Sequence, residues 1–367
     1  MRLEWGRVTD VRSSSASIER LGVELDSGAT GRAICYPRLT GGCEAGERVL
    51  LNTIAEDLEL GTAGDHFVVA RGSTTTGVAH ADDSGGHIIK LRYTPLQHDV
   101  LAAEEPASPH HPIMASATDV GGMPVACCGL HSQVPLVAAA IKAADPTLRI
   151  CYVMTDQAAL PLALSKVMDA SVSAGLIDAT VTCGQAFGGG VESVNLYSAL
   201  LAARHVCSAD IAIVGIGPGV VGTATPFGHG GVAQGEAINA VAVLKGRPVA
   251  VLRLSFADKR ERHRGVSHHT LTALSAVALA RAVVPVPALP EDESARVEDA
   301  LVRAGVWDRH VRYDARGSAE VPMHGVEVRS MGRGIEDDPT FFLAAFAAGA
   351  ACADFVIGKG VDATTFA

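Results

Sequence analysis

The chain has 367 residues and a formal net charge of −10, a balance that argues against a general nucleic-acid-binding protein. It is 48% hydrophobic and 19% charged, with a mean hydropathy of +0.25, which is typical of α/β proteins whose parallel strands are buried on both faces. The most apolar stretch, residues 341–353, is too short to cross a bilayer. The first residues are polar and do not resemble a signal peptide. We therefore expect a cytoplasmic protein that binds neither membranes nor nucleic acid.

Several familiar motifs are missing from the sequence. The eight cysteines form no C-x-x-C pair, and most lie in apolar stretches, so we expect reduced, buried thiols. The sequence contains no H-x-x-x-H or H-E-x-x-H helix, and no metal site is predicted. A G-x-x-x-x-G-K-[ST] loop is also missing, which excludes a P-loop nucleotide-binding protein. The sequence does not identify a cofactor.

The first part of the chain reads as short strands separated by turns. Strands are predicted near residues 6–11, 17–25, 33–36, 48–52 and 66–70, with turns that include residues 26–28 and 61–64. Five strands at this spacing indicate a small antiparallel β-barrel. A polar, glycine-rich connector follows at residues 72–86, where we expect limited proteolysis to cut first. The predicted first domain is therefore residues 1–86.

From about residue 122 the pattern changes to strand, turn and helix in alternation. Strands are predicted at 124–128, 149–154, 179–183, 211–214, 249–254 and 283–286, and helices at 135–143 and 340–353. This alternation predicts a Rossmann-like, doubly wound, mostly parallel sheet. Residues 87–367 are the predicted α/β domain. Residues 107–112 are predicted to be a loop, which leaves His110 and His111 without a role.

The loop after the predicted strand 211–214 is the most informative stretch of the sequence. It contains Gly215, Gly217, Gly219, Gly222, Thr223 and Thr225. Glycines after a buried strand expose backbone N–H groups at the carboxyl edge of the sheet, where open α/β folds bind ligands. The preferred interpretation is an anion cradle made of N–H groups and threonine hydroxyls. A dinucleotide-binding fingerprint and a purely structural turn remain as alternatives.

Other polar residues follow neighbouring strands and are expected on the same edge. Candidate ligand-binding residues there are Ser132, Gln133, Asp156, Gln185 and Arg253, and candidate catalytic residues are His131, Glu192 and Asp258. His131 stands beside Ser132, but neighbours in sequence rarely form a nucleophile–base pair. Asp337 and Asp338 either bring a carboxylate and Arg333 to this edge or cap the last helix.

Residues 260–270 combine arginines with three histidines. Arg262 and Arg264 are candidate anion-binding residues, and His263 and His268 are candidate acid–base catalysts. A helix is expected to begin near Leu271, with Ser267 or Thr270 as its cap. We expect His269 to face the core. A metal site and a simple cap with surface cations are the alternatives.

Five motifs together resemble one family. They are Leu91–Gln97, Gly129–Pro135, Gly184–Gly189, Val214–Thr223 and Arg262–His269. The resemblance is to a bacterial family of unknown function, DUF3866, and it covers nearly the whole chain. It implies no activity, catalytic residue or cofactor.

Three hypotheses for function follow from these residues. The preferred one is an enzyme that binds a small anionic ligand, phosphate- or nucleotide-like, and performs hydrolase or transferase chemistry through His, Arg and Asp side chains, with Asp258 or Glu192 orienting the histidine. The second is an NAD(P)-dependent oxidoreductase. The third is a ligand-sensing or scaffold protein without catalysis. A homo-oligomer is compatible with all three.

Overall fold

The computed structural model describes residues 2–54, 64–72, 85–315 and 320–358. The chain forms two compact units, Met1–Val100 and Leu101–Ala367. The sequence-based boundary between residues 86 and 87 stays a prediction, because most of the connector 72–86 lies outside the described residues. The predicted turn at residues 61–64 lies largely outside them as well.

A closed barrel of five strands forms the core of the first unit. Its strands are β1 (Leu3–Ser14), β2 (Glu19–Leu25), β3 (Thr30–Cys35), β4 (Arg48–Asn52) and β5 (His66–Arg71), with a short helix α1 (Pro37–Thr40) after β3. The spatial order is β1-β2-β3-β5-β4, and β4 pairs with β1 to close the ring. The barrel is confirmed, but β3 and β5 are parallel. A closed ring of five strands cannot alternate in direction throughout, so one parallel pair is unavoidable.

The barrel interior is filled by alternate, inward-facing apolar side chains, as its small size requires. They are Val8, Leu21, Val23, Leu25, Ala33, Cys35, Cys43, Val49, Leu51 and Val68. A two-stranded antiparallel sheet, β6 (Ile88–Lys90) with β7 (His98–Val100), completes this unit. All eight cysteines of the chain are free thiols, and all except Cys207 are buried, as the sequence predicts.

The second unit contains an eight-stranded, entirely parallel sheet and confirms the Rossmann-like α/β prediction. Its strands are β8 (Pro124–Cys127), β9 (Ile150–Thr155), β10 (Ala179–Thr182), β11 (Val191–Glu192), β12 (Ile211–Ile216), β13 (Arg247–Ala250), β16 (Val283–Pro287) and β17 (Val311–Ala315). The spatial order is β11-β10-β9-β12-β8-β13-β16-β17. The sequence prediction missed both edge strands, because β11 has only two residues and β17 alternates polar with apolar residues.

Helices cover both faces of this sheet. The helices are α2 (His111–Ser116), α3 (Val134–Ala144), α4 (Lys166–Ser173), α5 (Leu196–His205), α6 (Ala233–Val243), α7 (His268–Thr272), α8 (Glu291–Arg303) and α9 (Pro339–Val356). One face packs against α3 and α9 and the other against α5, α6 and α8, because successive strand residues enter opposite cores. Helix α2 corrects the prediction of a loop at residues 107–112.

Helix α9 packs along α3 in the interior of the unit. A Cβ atom at Gly349 would stand 2.4 Å from the carbonyl oxygen of Val137, so glycine permits this close approach. The helix is longer than the predicted 13-residue apolar stretch. Its 18 residues are long and apolar enough to span a membrane by length and composition, but 72% of this segment is buried inside the protein.

The strand order places a topological switch point at the carboxyl edge of the sheet. From β9 the chain continues to β10 through α4 on one face, whereas from β12 it continues to β13 through α6 on the other face. Because β9 and β12 are neighbours, this is the kind of position at which open α/β sheets bind ligands. The candidate site is therefore expected beside β12.

Candidate functional site

Three segments at the carboxyl edge of the sheet build the candidate site. The first is the loop from β12 to His229, and the second follows β13 through the paired strands β14 (Leu254–Ser255) and β15 (Gly265–Val266). The third is the start of α7. Gln234, at the beginning of α6, donates its side-chain N–H groups to the carbonyl oxygens of Cys127 and Val251. This buried amide ties α6 to the ends of β8 and β13 and so positions the His229 loop.

Four imidazole rings meet at this place, and we call them the histidine cluster: His229, His263, His268 and His269. The rings of His229 and His269 are stacked, with centroids 3.8 Å apart and planes within 4°. His268 lies 4.5 Å from His269 and 5.0 Å from His263 between ring centroids. His268 is partly exposed, whereas the other three rings are buried. His268 and His269, which are adjacent in sequence, thus both point into this cluster.

The pKa of every ring in the histidine cluster lies below its ordinary value. Burial is the main cause in each case, and it lowers the pKa of His263 to about 3 and that of His269 to about 2. Repulsion by Arg253 adds to the effect on all four rings, and Arg262 adds to it at His268. The imidazoles are therefore neutral near pH 7, and each keeps one nitrogen lone pair.

An arginine network adjoins the histidine cluster, and we call it the arginine group: Arg253, Arg260 and Arg333. Arg260 forms a bidentate pair with Asp258, and Arg333 contacts both Asp258, at 3.4 Å, and Asp338, at 3.0 Å. The hydrogen bonds from Arg260 hold the pKa of Asp258 well below its ordinary value. Asp338 also accepts a hydrogen bond from Ser255 at 2.7 Å. Asp338 occupies the N-cap position of α9, but its side chain joins this network and makes no capping hydrogen bond.

Arg253 is the least well paired member of the arginine group. It is 6% exposed. Its Nη1 donates to Nδ1 of His269 at 3.2 Å, and its Nη2 stands 4.0 Å from Asp258. Burial, followed by repulsion from Arg260, lowers its pKa to about 10. Arg253 thus links the arginine group to the histidine cluster.

The start of α7 orients two members of the histidine cluster. Ser267 is the N-cap, and its hydroxyl accepts the backbone N–H of His269. The same hydroxyl lies 2.7 Å from Nδ1 of His263. The prediction of Ser267 as cap is confirmed, but the helix begins at His268 rather than near Leu271, because Thr270 instead accepts the backbone N–H of Arg253. His268 and His269 therefore occupy the first helical turn.

Only part of the glycine loop faces this site. Gly215 is buried inside β12 against Val134, and a Cβ atom at Gly217 would lie 2.3 Å from the carbonyl oxygen of Ala159. These two glycines serve packing, which corrects their assignment to ligand binding. Gly222 does reach the histidine cluster, since its Cβ position is 3.4 Å from Nε2 of His269. Gly219 is exposed, with a φ of +87° and open space around it.

The two threonines of this loop are bonded within the loop itself. The hydroxyl of Thr223 donates to the carbonyl oxygen of Gly228, and that of Thr225 accepts the N–H of Gly228. The two hydroxyls also lie 2.9 Å apart. These hydrogen bonds stabilise the loop itself and explain the two threonines without a ligand. An anion cradle made of their hydroxyls stays a prediction.

His131 and Gln133 are structural, which corrects two of the candidate assignments. His131 is buried, with Nε2 2.6 Å from the hydroxyl of Ser165 and Nδ1 3.1 Å from the carbonyl oxygen of Ile216. The side chain of Gln133 is fully buried and bonded to the backbone of Gly129, Leu130 and Leu252. Both side chains are enclosed by the protein and already bonded to it, so neither presents a polar group at the surface of the site. Ser132, between them, is partly exposed.

The candidates that follow β9 and β10 lie elsewhere on the edge. Asp156 accepts the backbone N–H of Gln185 at 2.8 Å and thereby joins the ends of these two strands. Glu192 accepts the N–H of Gly188 and lies on β11, the edge strand. Four strands separate β11 from β13, a distance of roughly 24 Å at the usual spacing. Glu192 therefore cannot orient a histidine of the cluster, so Asp258 is the remaining candidate carboxylate.

Sequence reasoning missed His229 as a site member, whereas for Arg333 and Asp338 the structure shows the first of the two predicted alternatives, a place at this edge. His229 is followed by two glycines, Gly230 and Gly231, and a Cβ atom at Gly231 would lie 3.1 Å from Nδ1 of His229. A histidine followed by two glycines after a central strand is a pattern visible in the sequence, and it could have indicated His229 as a site residue. Arg333 and Asp338 were considered only as an edge or cap pair, because a contact across 75 to 83 residues leaves no local pattern. Arg262 and Arg264 are exposed.

The fold and the site define an α/β protein with a small barrel and a histidine- and arginine-lined site at the carboxyl edge of its parallel sheet. The chain belongs to the family of proteins of unknown function DUF3866, whose profile matches residues 32–349. No curated protein and no solved structure matches the chain. The family membership confirms the resemblance and assigns no activity.

Proposed function

We propose that the protein is an enzyme that binds a small anion, bearing a phosphate or carboxylate group, at the arginine group and acts on it by hydrolysis or group transfer. The environment of Arg253 is the observation that carries this proposal. A guanidinium has five N–H donors, yet among the described residues its contacts are one imidazole nitrogen and a carboxylate oxygen 4.0 Å away. An anionic ligand supplies the partner that this buried cation lacks.

The local charge supports the same proposal. Three guanidinium groups share two carboxylates, those of Asp258 and Asp338, and Arg262 is close enough to lower the pKa of Arg253. The site is thus positive in a chain whose net charge is −10. A positive site with partly buried walls attracts anions, and arginine is suited to bidentate contact with phosphate or carboxylate oxygens.

His263 is the group to which we assign acid–base chemistry. Its ring is buried and neutral, and Ser267 holds its Nδ1 at 2.7 Å. A pKa of about 3 makes the unliganded ring a weak base. A bound anion beside the arginine group raises that pKa, so the imidazole accepts a proton from a water or hydroxyl nucleophile once the ligand is bound. Because the nearby guanidinium groups disfavour the imidazolium, the ring readily returns the proton to a leaving group. This cycle is balanced and needs no electron transfer.

The oxidoreductase alternative has less support. A dinucleotide fingerprint requires a helix that begins within the glycine motif, whereas α6 begins at Ala233, well after Gly222. A ligand-sensing protein would bind its ligand at the same arginine group without converting it. A turnover measurement therefore distinguishes this alternative from an enzyme.

Binding of inorganic phosphate and of a dicarboxylate, measured by calorimetry, tests the proposal. We expect Arg253→Gln to weaken the binding of the better ligand about 10- to 100-fold, which is the usual effect of losing one charged hydrogen-bond partner. Arg312→Gln is the matched control, because Arg312 pairs with Glu298 and Asp314 at the surface. Failure of the wild type to bind either anion, or equal affinity of Arg253→Gln and wild type, contradicts the proposal.

A turnover measurement separates an enzyme from a sensor. Phosphate monoesters and carboxylate esters are incubated with the wild type and with His263→Ala. Turnover that His263→Ala abolishes, with anion affinity retained, supports the assignment of His263. Anion binding without turnover of any ester supports the sensing alternative.

A further inference from the structure

The histidine cluster has a feature that anion binding does not require. We propose that His229, His268 and His269 bind a divalent transition-metal ion of the zinc type. The proposal uses other atoms than the anion proposal and does not depend on it. Imidazole nitrogen is the preferred protein ligand of such ions together with cysteine sulfur.

The strongest evidence is an imidazole nitrogen of His229. Nε2 of His229 lies 2.9 Å from the carbonyl oxygen of Pro226, an acceptor only, so the proton of the neutral ring is on Nε2. Nδ1 therefore carries the lone pair. It is buried, in a residue that is 4% exposed, and has no hydrogen-bond partner in the part of the chain that the structure describes. Metal-binding histidines show this same arrangement, with one nitrogen donating to a backbone carbonyl and the other free to coordinate.

The two other rings bring further nitrogens to the same place. Nε2 of His268 is also buried and has no partner among the described residues. One nitrogen from each of His229, His268 and His269 lies within 4.8 Å of the others. Two nitrogens on one tetrahedral zinc ion, with bonds of about 2.0–2.1 Å, are about 3.4 Å apart. Modest rotations of the rings therefore bring the three nitrogens to the separation that the ion requires.

The electrostatic state of the rings is suitable for metal binding. A histidine must be neutral to coordinate a metal, and protons compete with the ion when its pKa is near that of the solution. Burial and the nearby arginines keep all three rings unprotonated near pH 7. The buried lone pair on Nδ1 of His229, which meets no donor among the described residues, is costly in the absence of an ion.

Arg253 and the ion compete for His269. A neutral imidazole has one lone pair, and Arg253 donates to Nδ1 of His269. An ion on either nitrogen of this ring takes that lone pair and ends the bond to Arg253. The guanidinium is then released toward the anion site, so Arg253→Gln removes a competitor for the metal while it removes a partner of the anion.

Titration of the metal-free, full-length protein with Co²⁺ or Zn²⁺ tests the inference. We expect about one equivalent to bind, with cobalt absorption bands of a four- or five-coordinate site. His229→Ala and His268→Ala should each weaken binding by at least about 100-fold, because the loss of a ligand exceeds the 10- to 100-fold effect of losing an outer-shell partner. His268 is partly exposed, so His268→Ala keeps the test valid if His229→Ala does not fold.

The controls separate this inference from the anion proposal. His205→Ala is the matched histidine control, since Nε2 of His205 lies 2.8 Å from the carbonyl oxygen of Asp119, and it should bind metal like the wild type. Arg253→Gln should keep or increase metal affinity while it loses anion affinity. Absence of stoichiometric binding to the wild type, or wild-type affinity in His268→Ala, overturns the metal site and leaves the anion proposal intact. Stoichiometric metal binding together with undiminished anion affinity in Arg253→Gln supports the metal site and overturns the anion proposal.

Discussion

His131 and the histidine cluster lie at the same edge of the same sheet, but they differ in whether their ring nitrogens have hydrogen-bond partners. Both nitrogens of His131 have partners, Ser165 on one side and Ile216 with Tyr152 on the other. In the histidine cluster, Nδ1 of His229 and Nε2 of His268 are buried and have no partner within residues 2–54, 64–72, 85–315 and 320–358. A buried polar group with all its bonds made stabilises the fold, whereas one without partners costs stability and indicates a ligand. The distinction depends on contacts that no sequence pattern displays.

The largest expected effect concerns stability. We expect His131→Ala to lower the free energy of unfolding by roughly 2–4 kcal/mol, because it creates a cavity and removes the buried hydrogen bonds of His131 to the Ser165 hydroxyl and the Ile216 carbonyl. His268→Ala should lower it by less than about 1 kcal/mol, because Nε2 of His268 has no bond to lose. Urea denaturation of both variants measures the difference.

The comparison fails if the two variants are destabilised equally. The folded fraction of His131→Ala should also bind anion and metal like the wild type, since the side chain is enclosed in the core. His205→Ala is again the control for the loss of a partly exposed histidine.

A second prediction concerns pH. Burial lowers the pKa of His131 to about 4, whereas a histidine in the unfolded chain has a pKa of about 6.5. Between these values the unfolded chain binds more protons, so this contribution to stability is complete above about pH 6.5 and is lost as the pH falls toward 4. The contribution is up to about 3 kcal/mol.

His131→Gln isolates this contribution from those of the other histidines. We expect the stability difference between wild type and His131→Gln to shrink as the pH is lowered from 7 to 4, measured by urea denaturation at each pH. A difference that stays constant over this range shows that His131 does not titrate as its burial implies.

The smallest expected effect concerns the glycine loop. Gly219 has a φ of +87° and open space around its Cβ position. Gly219→Ala should therefore cost about 1 kcal/mol through backbone strain alone, with unchanged affinity for phosphate. Calorimetry checks the affinity, and a thermal melt checks the stability. A loss of affinity in the folded variant restores the anion cradle as the function of this loop.

Much of the fold could be predicted from local patterns. Short strands with turns predict the barrel, and the alternation of apolar strands with alanine-rich helices predicts the α/β sheet, because side-chain periodicity depends on neighbouring residues. The predicted strand 211–214 lies within β12 (Ile211–Ile216). The two edge strands were missed because their patterns are short or mixed. Helix α7 begins earlier than predicted because Thr270 binds Arg253, a tertiary contact.

The site was predicted less completely, for a physical reason. The sequence alone placed Arg253, Asp258, His263 and His268 at the carboxyl edge of the sheet, where the structure brings them together, since residues after parallel strands converge there. The order of the strands decided that Glu192 lies far from this site. Packing decided that His131 and Gln133 are enclosed and that His229 and Asp338 join it. Periodicity places a residue on an element, but only the folded chain determines which side chains meet and which buried atoms lack partners, because those contacts join residues far apart in sequence.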